Sequence, residues 1–255
     1  MTRPSRRIAV CVVALAVVLP SGREAMAARL PDWAKQVAKD APPVPEGLSP
    51  YRQRVLLSET RNAVQPDGSL QIRRRFAVQV LDSDPDPVSF GSFYVRPTMR
   101  VKSNRCWHVP PGKRGSVEDV VPVEITVTDD FLTDSTVRRI GIDGVVKGSV
   151  VLFEFEVVDV PYFVSLTHLF YEGAPVQVAR FEVEVPTGWR AEPVWIRGGG
   201  AALVTGEGRM TWEMRDLPRR EQEPLGPDPI EEAPLLGVHL IPPAGATLKT
   251  AIFSD

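Results

Sequence analysis

The chain has 255 residues, 43% of them hydrophobic, and a formal net charge of −2 at pH 7. It is long enough to bury a substantial core in one large or two small domains. Its 30 Lys and Arg residues are balanced by 32 Asp and Glu residues. This slightly acidic balance argues against nucleic acid and against an anionic membrane surface as partners.

The first residues predict an export signal. Three arginines within the first seven residues precede an unbroken apolar run over residues 8–19, and Ala-Met-Ala at 25–27 has the small-residue pattern of a signal peptidase site. The run is too short for a bilayer core about 30 Å thick, which needs roughly 20 apolar helical residues. We therefore expect a signal peptide over residues 1–27, no transmembrane span after its cleavage, and a periplasmic or secreted protein.

Residues 28–50 predict a short helix followed by a proline-rich linker. Pro31 and Asp32 suit the first turn of a helix over residues 31–39, because proline has no N–H to leave unpaired there and an acidic side chain favours the positive end of the helix. Prolines at 42, 43 and 45 then end the helix.

From residue 51 onward the pattern is typical of β-strands. Two runs, 54–64 and 70–81, flank the turn sequence Pro66-Asp67-Gly68-Ser69 and predict a hairpin. Further runs with strand-like periodicity and flanking turn residues predict strands at 88–95, 120–128, 148–160, 163–171, 176–185, 189–197, 201–205, 209–212 and 236–241.

Short strands without a long amphipathic helix indicate an all-β fold, an antiparallel β-sandwich with a short N-terminal helix. We expect residues 51–255 to form this β-sandwich-rich unit. A division into two packed lobes near residues 173–176 is an alternative arrangement.

Two predicted strands alternate apolar and charged residues with a period of two. In 148–160, apolar side chains alternate with Glu154 and Glu156, and 176–185 carries Glu182 and Glu184 in the same way. Side chains two apart on a strand lie about 7 Å apart, a separation that suits the two carboxyl groups of an inverting glycosidase. We interpret both pairs as solvated strand faces opposite the core.

Cysteine use predicts a buried thiol. Because Cys11 lies in the predicted signal peptide, Cys106 has no cysteine with which to form an intramolecular disulfide. Cys106 and His108 are two residues apart and would share one face of a strand. Without an orienting third group and an oxyanion site nearby, the pair does not predict a nucleophile. We expect Cys106 to be a small core residue.

No other motif predicts a catalytic, cofactor or metal site, and the ligand-binding residues stay unknown. His168 and His239 stand among apolar residues, which favours packing over metal binding. The acidic residues at 82–86 resemble the start of a calcium loop, but Pro87 and Phe93 occupy the positions of its glycine and glutamate. Four tryptophans could stack on sugar rings, although core packing is the preferred interpretation: Trp107, Trp189, Trp195 and Trp212.

Several segments, taken in order, resemble the domain of unknown function that precedes the transglutaminase-like domain in many exported bacterial proteins. The resemblance covers residues 33–255, and the stretch between residues 95 and 120 matches only loosely. The segments are Pro66-Asp67-Gly68-Ser69, Val146-Lys147-Gly148-Ser149, Phe153-Glu154-Phe155-Glu156, Asp159-Val160-Pro161, Ala174-Pro175-Val176, Val183-Glu184-Val185-Pro186-Thr187-Gly188-Trp189, Thr211-Trp212-Glu213-Met214-Arg215-Asp216-Leu217-Pro218 and Glu221-Gln222-Glu223-Pro224.

The resemblance implies a non-catalytic, β-sandwich-rich module, without cofactors, whose partner is a transglutaminase-like domain in cis or in trans. Catalysis in the family belongs to a downstream papain-type domain with a Cys-His-Asp set, so no catalytic residue is carried over to this sequence. Two alternatives remain. One is a truncated fragment of such an enzyme, and the other is an adhesin that binds a glycan or an envelope protein through exposed tryptophans.

Overall fold

In the part of the chain that the structure describes, backbone hydrogen bonds form three sheets and two short helices. The computed structural model describes residues 30–46, 51–82, 89–95, 97–112, 118–119, 123–127, 136–141, 145–161, 165–220 and 226–249. The predicted signal peptide and most of the acidic 82–86 loop lie outside these ranges. The elements are α1 (Asp32–Lys39), β1 (Gln53–Val64), β2 (Leu70–Val80), β3 (Ser89–Val95), β4 (Met99–Val109), β5 (Glu118–Asp119), β6 (Val123–Val127), β7 (Thr136–Gly141), β8 (Val150–Asp159), β9 (Ser165–Leu169), β10 (Val176–Glu184), β11 (Arg190–Arg197), β12 (Leu203–Gly206), β13 (Arg209–Leu217), α2 (Pro229–Glu232) and β14 (Leu235–Ile241).

The largest sheet has eight strands in the order β12-β13-β10-β1-β2-β8-β4-β5. Two three-stranded sheets have the orders β11-β14-β9 and β3-β7-β6. The predicted fold class, a β-rich architecture with a short N-terminal helix, is confirmed. Among the described strand pairs, β1 and β10 are parallel and the others antiparallel. The predicted domain boundaries stay a prediction.

Most strands lie within a few residues of their predicted positions, and the differences have local causes. Strand β4 was not predicted, because polar residues from Lys102 to Arg105 interrupt its apolar pattern and a bulge falls between Val101 and Ser103. Strands β5 and β7 were also not predicted. Strand β13 continues to Leu217, five residues beyond its predicted end. The added part carries the charged residues Glu213, Arg215 and Asp216.

The eight-stranded sheet is covered on both faces. On its inner face, the sheet β11-β14-β9 packs against a large hydrophobic core that includes Phe153, Phe181 and Leu236. On its outer face, α1 packs over a smaller core around Trp107 and Leu152. The inner face is the broad apolar surface that the alternation in β8 and β10 predicted, and its burial under the second sheet is the main source of stability.

The hairpin between β1 and β2 closes with the predicted turn. Gly68 has a φ of 81°, and the Asp67 carboxylate accepts hydrogen bonds from the Ser69 N–H at 3.0 Å and the Ser69 hydroxyl at 2.6 Å. Hydrogen bonds from Lys249 and then Ser69 lower the pKa of Asp67 to about 2. The Lys249 N–H also donates to the Asp67 carbonyl at 2.8 Å, so Lys249 is fixed against this turn.

One glycine is required by a close approach between strands. Gly208, in the β12–β13 turn, has a φ of 71°, and a Cβ there would lie 2.5 Å from the Val185 carbonyl oxygen. Gly173 has a similar φ of 69°, but a Cβ there would meet nothing within 4 Å. A substitution at Gly173 therefore measures backbone strain alone, and the same substitution at Gly208 adds steric overlap.

We expect Gly173→Ala to lower the free energy of unfolding by about 1 kcal/mol, the cost of placing a side chain in the left-handed region. Gly208→Ala should cost at least about 1 kcal/mol more, because a backbone oxygen must also move. Urea denaturation of both variants measures the difference. Equal losses would contradict a rigid contact between Gly208 and Val185.

Candidate functional site

The Cys106 and His108 pair is built into the inner face of β4. Cys106 is 1% exposed and not in a disulfide, which confirms the predicted buried thiol. The His108 Nε2 lies 3.0 Å from the hydroxyl of fully buried Ser149, which also accepts a hydrogen bond from the Val146 N–H at 3.2 Å. This arrangement satisfies buried polar groups and joins β4 to the turn before β8.

The two other histidines occupy opposite environments. The His168 ring lies between the sheets, stacked on Phe181 with ring centroids 4.5 Å apart and edge-on to Phe170 at 4.6 Å. Burial, and then the neighbouring Arg74 cation, lower the pKa of His168 to about 3. His239 is exposed on β14. His168 therefore stays neutral at physiological pH and acts as an aromatic packing residue.

Tryptophan burial removes most of the aromatic surface that a sugar could use. Trp107, Trp189 and Trp212 are each less than a tenth exposed. Trp195 is partly buried, and its indole N–H donates to the Gly200 carbonyl at 2.7 Å. Their packing in the two cores agrees with the preferred interpretation of these residues.

The glutamates on the outer face of the eight-stranded sheet are less exposed than the sequence predicted. The four glutamates of β8 and β10 do point away from the inner core, as expected. However, Glu154 and Glu182 are buried there, with 7% and 8% exposure, while Glu156 is exposed. The prediction of a solvated face is therefore wrong for Glu154 and Glu182, because arginines of neighbouring strands cover them.

Five side chains from five adjacent strands form what we call the ion-pair row: Glu213, Arg180, Glu59, Arg75 and Glu154. Strand register places each residue directly opposite the next. The nitrogen-to-oxygen distances along the row are 2.7, 2.8, 3.3 and 2.8 Å. Charges therefore alternate across β13, β10, β1, β2 and β8, and each contact joins two strands.

The neighbouring opposite charges shift the pKa values of two row members, Arg180 and Glu213. Burial disfavours the charged form of Arg180, but hydrogen bonds to Glu213 and Glu59 raise its pKa above the ordinary value. Burial likewise opposes ionisation of Glu213, yet Arg180 and Arg215 lower its pKa overall. In the row, these contacts favour the charged forms of Arg180 and Glu213.

Helix α1 covers one end of the row. The Arg75 guanidinium lies 5.1 Å from the centroid of the Trp33 ring, and Trp33 meets Trp107 edge-on at 6.0 Å. Between α1 and the sheet is a groove of about 360 Å³, lined in part by Asp40 and Arg215. Its walls are the ion-pair row and the helix, so the groove is a consequence of how α1 packs.

A second recess lies farther along the outer face, beyond the reach of α1. We call it the Arg73 cleft; its volume is about 450 Å³. Residues lining it include Arg61, Arg73, Lys102, Glu156, Ala63 and Val158. It is the larger of the two recesses and holds three basic side chains against one acidic side chain.

Metal and membrane sites are not found in the part of the chain that the structure describes. No group of three or more His, Cys, Asp and Glu side chains is placed there to hold a metal ion. No helix within the same ranges is long and apolar enough to cross a membrane.

Comparison with known proteins gives a likeness in fold. No family model matches this sequence, and no curated protein matches it. A candidate protease from Parabacteroides distasonis is similar in structure, with a TM-score of 0.56 and 15% identity over 74% of this chain and 40% of that chain. At this identity the likeness shows a shared fold alone.

Two further structures are more distant. An M1 zinc metallopeptidase from Deinococcus radiodurans has a TM-score of 0.35 and 11% identity over 72% of this chain and 41% of that chain. Leukotriene A4 hydrolase from Saccharomyces cerevisiae has a TM-score of 0.39 and 7% identity over 73% and 29%. These two support no conclusion. The chain spans less than half the length of each of the three proteins.

Removing one charge from the ion-pair row should lower the free energy of unfolding substantially. Glu59→Gln leaves Arg75 and Arg180 facing each other without a carboxylate between them. We expect a loss of about 1–3 kcal/mol in the free energy of unfolding, less than for a fully buried pair because both arginines are partly solvated. Glu192→Gln, whose side chain is 60% exposed, is the matched control and should change it by less than about 0.5 kcal/mol. Equal effects of the two changes in urea denaturation would show that the row does not stabilise the sheet.

His168 predicts a pH dependence of stability. Its folded-state pKa of about 3 lies below the value of 6.5 in the unfolded chain, so the unfolded state binds the proton first as pH falls. The contribution of His168 to the free energy of unfolding is complete above pH 6.5 and is lost as the pH falls toward 3. Between pH 7 and pH 5, we expect the wild type to lose roughly 2 kcal/mol more than His168→Phe, which keeps the stacking but cannot titrate.

The control for His168 is the exposed histidine. His239→Gln should leave the pH dependence of the urea midpoint as in the wild type. Parallel stability curves for the wild type and His168→Phe would contradict a neutral, partly buried His168.

Proposed function

We propose that this chain is a non-catalytic, exported accessory or binding module of the kind found before transglutaminase-like domains. The observation that carries the proposal is a fold shared with 40% of a longer protein, so this architecture occurs as one part of a larger chain. The likeness supports the architecture, and the assignment of a partner rests on the resemblance in sequence.

The packing of the reactive side chains supports the same proposal. Cys106, His108 and Ser149 are all less than a tenth exposed and pack between strands. A nucleophile must reach its substrate and needs a base oriented toward it. The interior position of these groups favours a structural role, with catalysis assigned to a partner domain.

The two alternatives differ in what would support them. A truncated fragment of a transglutaminase-like enzyme would have the same fold, so the structure favours neither it nor the separate module. An adhesin would need exposed aromatic rings, and three of its four candidate tryptophans are buried. The module is therefore the function that we propose, with the fragment as its nearest alternative.

Thiol labelling and an amine-incorporation assay test the absence of catalysis. We expect iodoacetamide to modify Cys106 at least about 100-fold more slowly in the native protein than in urea, because the thiol is 1% exposed. We also expect no incorporation of a fluorescent amine into casein above the blank. Native labelling at the rate of a free thiol, or an incorporation that Cys106→Ala abolishes, would contradict the proposal.

The reading frame beyond codon 255 distinguishes the module from the fragment. A stop codon that related genomes share would support a separate module acting in trans. A frame that continues into a cysteine, and later a histidine and an aspartate, would support the fragment alternative instead.

A further inference from the structure

Arg73 differs from its neighbours Arg61 and Arg75, which both form ion pairs on the outer face. It lies on β2, directly opposite Arg61 of β1 and directly opposite Glu156 of β8. Arg61 is bound to Glu182 at 2.9 Å and also pairs with Glu184. Among the described residues, Arg73 makes no ion pair, and its buried Nε has no hydrogen-bond partner.

Its surroundings are electrostatically unfavourable for a cation. Burial, and then the neighbouring Arg75 and Arg61 cations, lower the pKa of the Arg73 guanidinium. Like charges placed directly opposite on neighbouring strands destabilise a sheet, and an unpaired buried donor carries a desolvation cost. Glu59 and Glu154 offset part of this effect, and the pKa of Arg73 still lies below its ordinary value.

The cleft beside Arg73 exists because the next row of side chains is short. Ala63, Gln71 and Val158 occupy neighbouring positions on β1, β2 and β8, one pair of residues farther along the strands. Ala63 and Val158 are much shorter than Arg61 and Arg73, and this difference leaves the recess of about 450 Å³. This volume lies in the range of small-ligand sites, and its lining combines apolar walls with a few convergent charges.

The charge of the cleft fits one negative group. The two glutamates of β10 already neutralise Arg61. Arg73 and Lys102 contribute two positive charges against the single negative charge of Glu156. The net single positive charge matches a monoanion, and the planar guanidinium matches a carboxylate in shape.

We propose that the Arg73 cleft binds a carboxylate group of a peptide, with Arg73 as its main ligand and Lys102 at its rim. The apolar part of the peptide lies along Ala63 and Val158. The proposed module function does not assign this site, and the site does not require the partner domain. The carboxylate has two sources with the same chemistry, a peptide C-terminus or an acidic side chain.

Calorimetric titration of the whole exported chain tests the site. The probes are acetyl-Leu-Ala with a free carboxylate, the same peptide as its C-terminal amide, and acetyl-Glu-Ala amide, which carries only a side-chain carboxylate. Inorganic phosphate at the same ionic strength is the fourth probe. We expect saturable binding of one or both carboxylate peptides and at least tenfold weaker binding of the amide of acetyl-Leu-Ala.

Variants then assign the site to Arg73. Arg73→Gln should weaken carboxylate binding at least tenfold, and Lys102→Gln should weaken it about threefold. Arg190→Gln is the control, because Arg190 is 71% exposed on the other sheet, and it should leave the affinity within twofold. Arg73→Gln should fold with an unchanged or higher urea midpoint, since it removes a repulsive charge, so a loss of binding is not a loss of folding.

Several results would overturn the inference. They are the absence of saturable binding by both carboxylate peptides, equal binding of the free acid and the amide of acetyl-Leu-Ala, and unchanged affinity in Arg73→Gln. Tighter binding of phosphate than of either peptide would overturn the assignment to a carboxylate. Binding of only one of the two carboxylate peptides supports the site and identifies the source.

Discussion

The parallel pairing of β1 with β10 is the constraint on which the rest of the structure depends. It joins β12, β13 and β10 to β1, β2, β8, β4 and β5, and so makes one sheet of eight strands. A parallel pair requires a long crossover, and here the crossover carries β2 to β9. The register of this pair also sets Glu59 opposite Arg180, which continues the ion-pair row across the junction.

The two faces of this sheet are stabilised by different interactions. The inner face is apolar and is covered by a second sheet, so hydrophobic burial stabilises it. The outer face is only partly covered by α1, and arginines and glutamates fill the remaining surface in alternation. An eight-stranded sheet with one helix on its outer side leaves that surface available, and it is where a ligand would find charged groups held in fixed positions.

Glu59 and Arg73 illustrate the difference between a charge that stabilises the sheet and a charge that could bind a ligand. Glu59 lies between two arginines and completes their pairing, as a structural ion pair does. Arg73, two residues from Arg75 on the same strand, lies between Arg61 and Glu156 and forms no ion pair with any residue that the structure describes. A charge that the fold does not neutralise is a stronger indication of a binding site than a cluster of paired charges.

The sequence by itself determined the β-rich class, the α1 helix, the 66–69 turn and the inner face of β8, because these follow from local periodicity and turn chemistry. It also correctly placed Cys106 in the core, since a cysteine without a disulfide partner is usually a small buried residue. Strand β4 escaped prediction because its middle is polar, and only its position between β8 and β5 makes it a strand. The ion-pair row and the Arg73 cleft were decided by the tertiary structure alone, because cross-strand register brings together residues far apart in the chain, and no sequence spacing encodes which charge faces which.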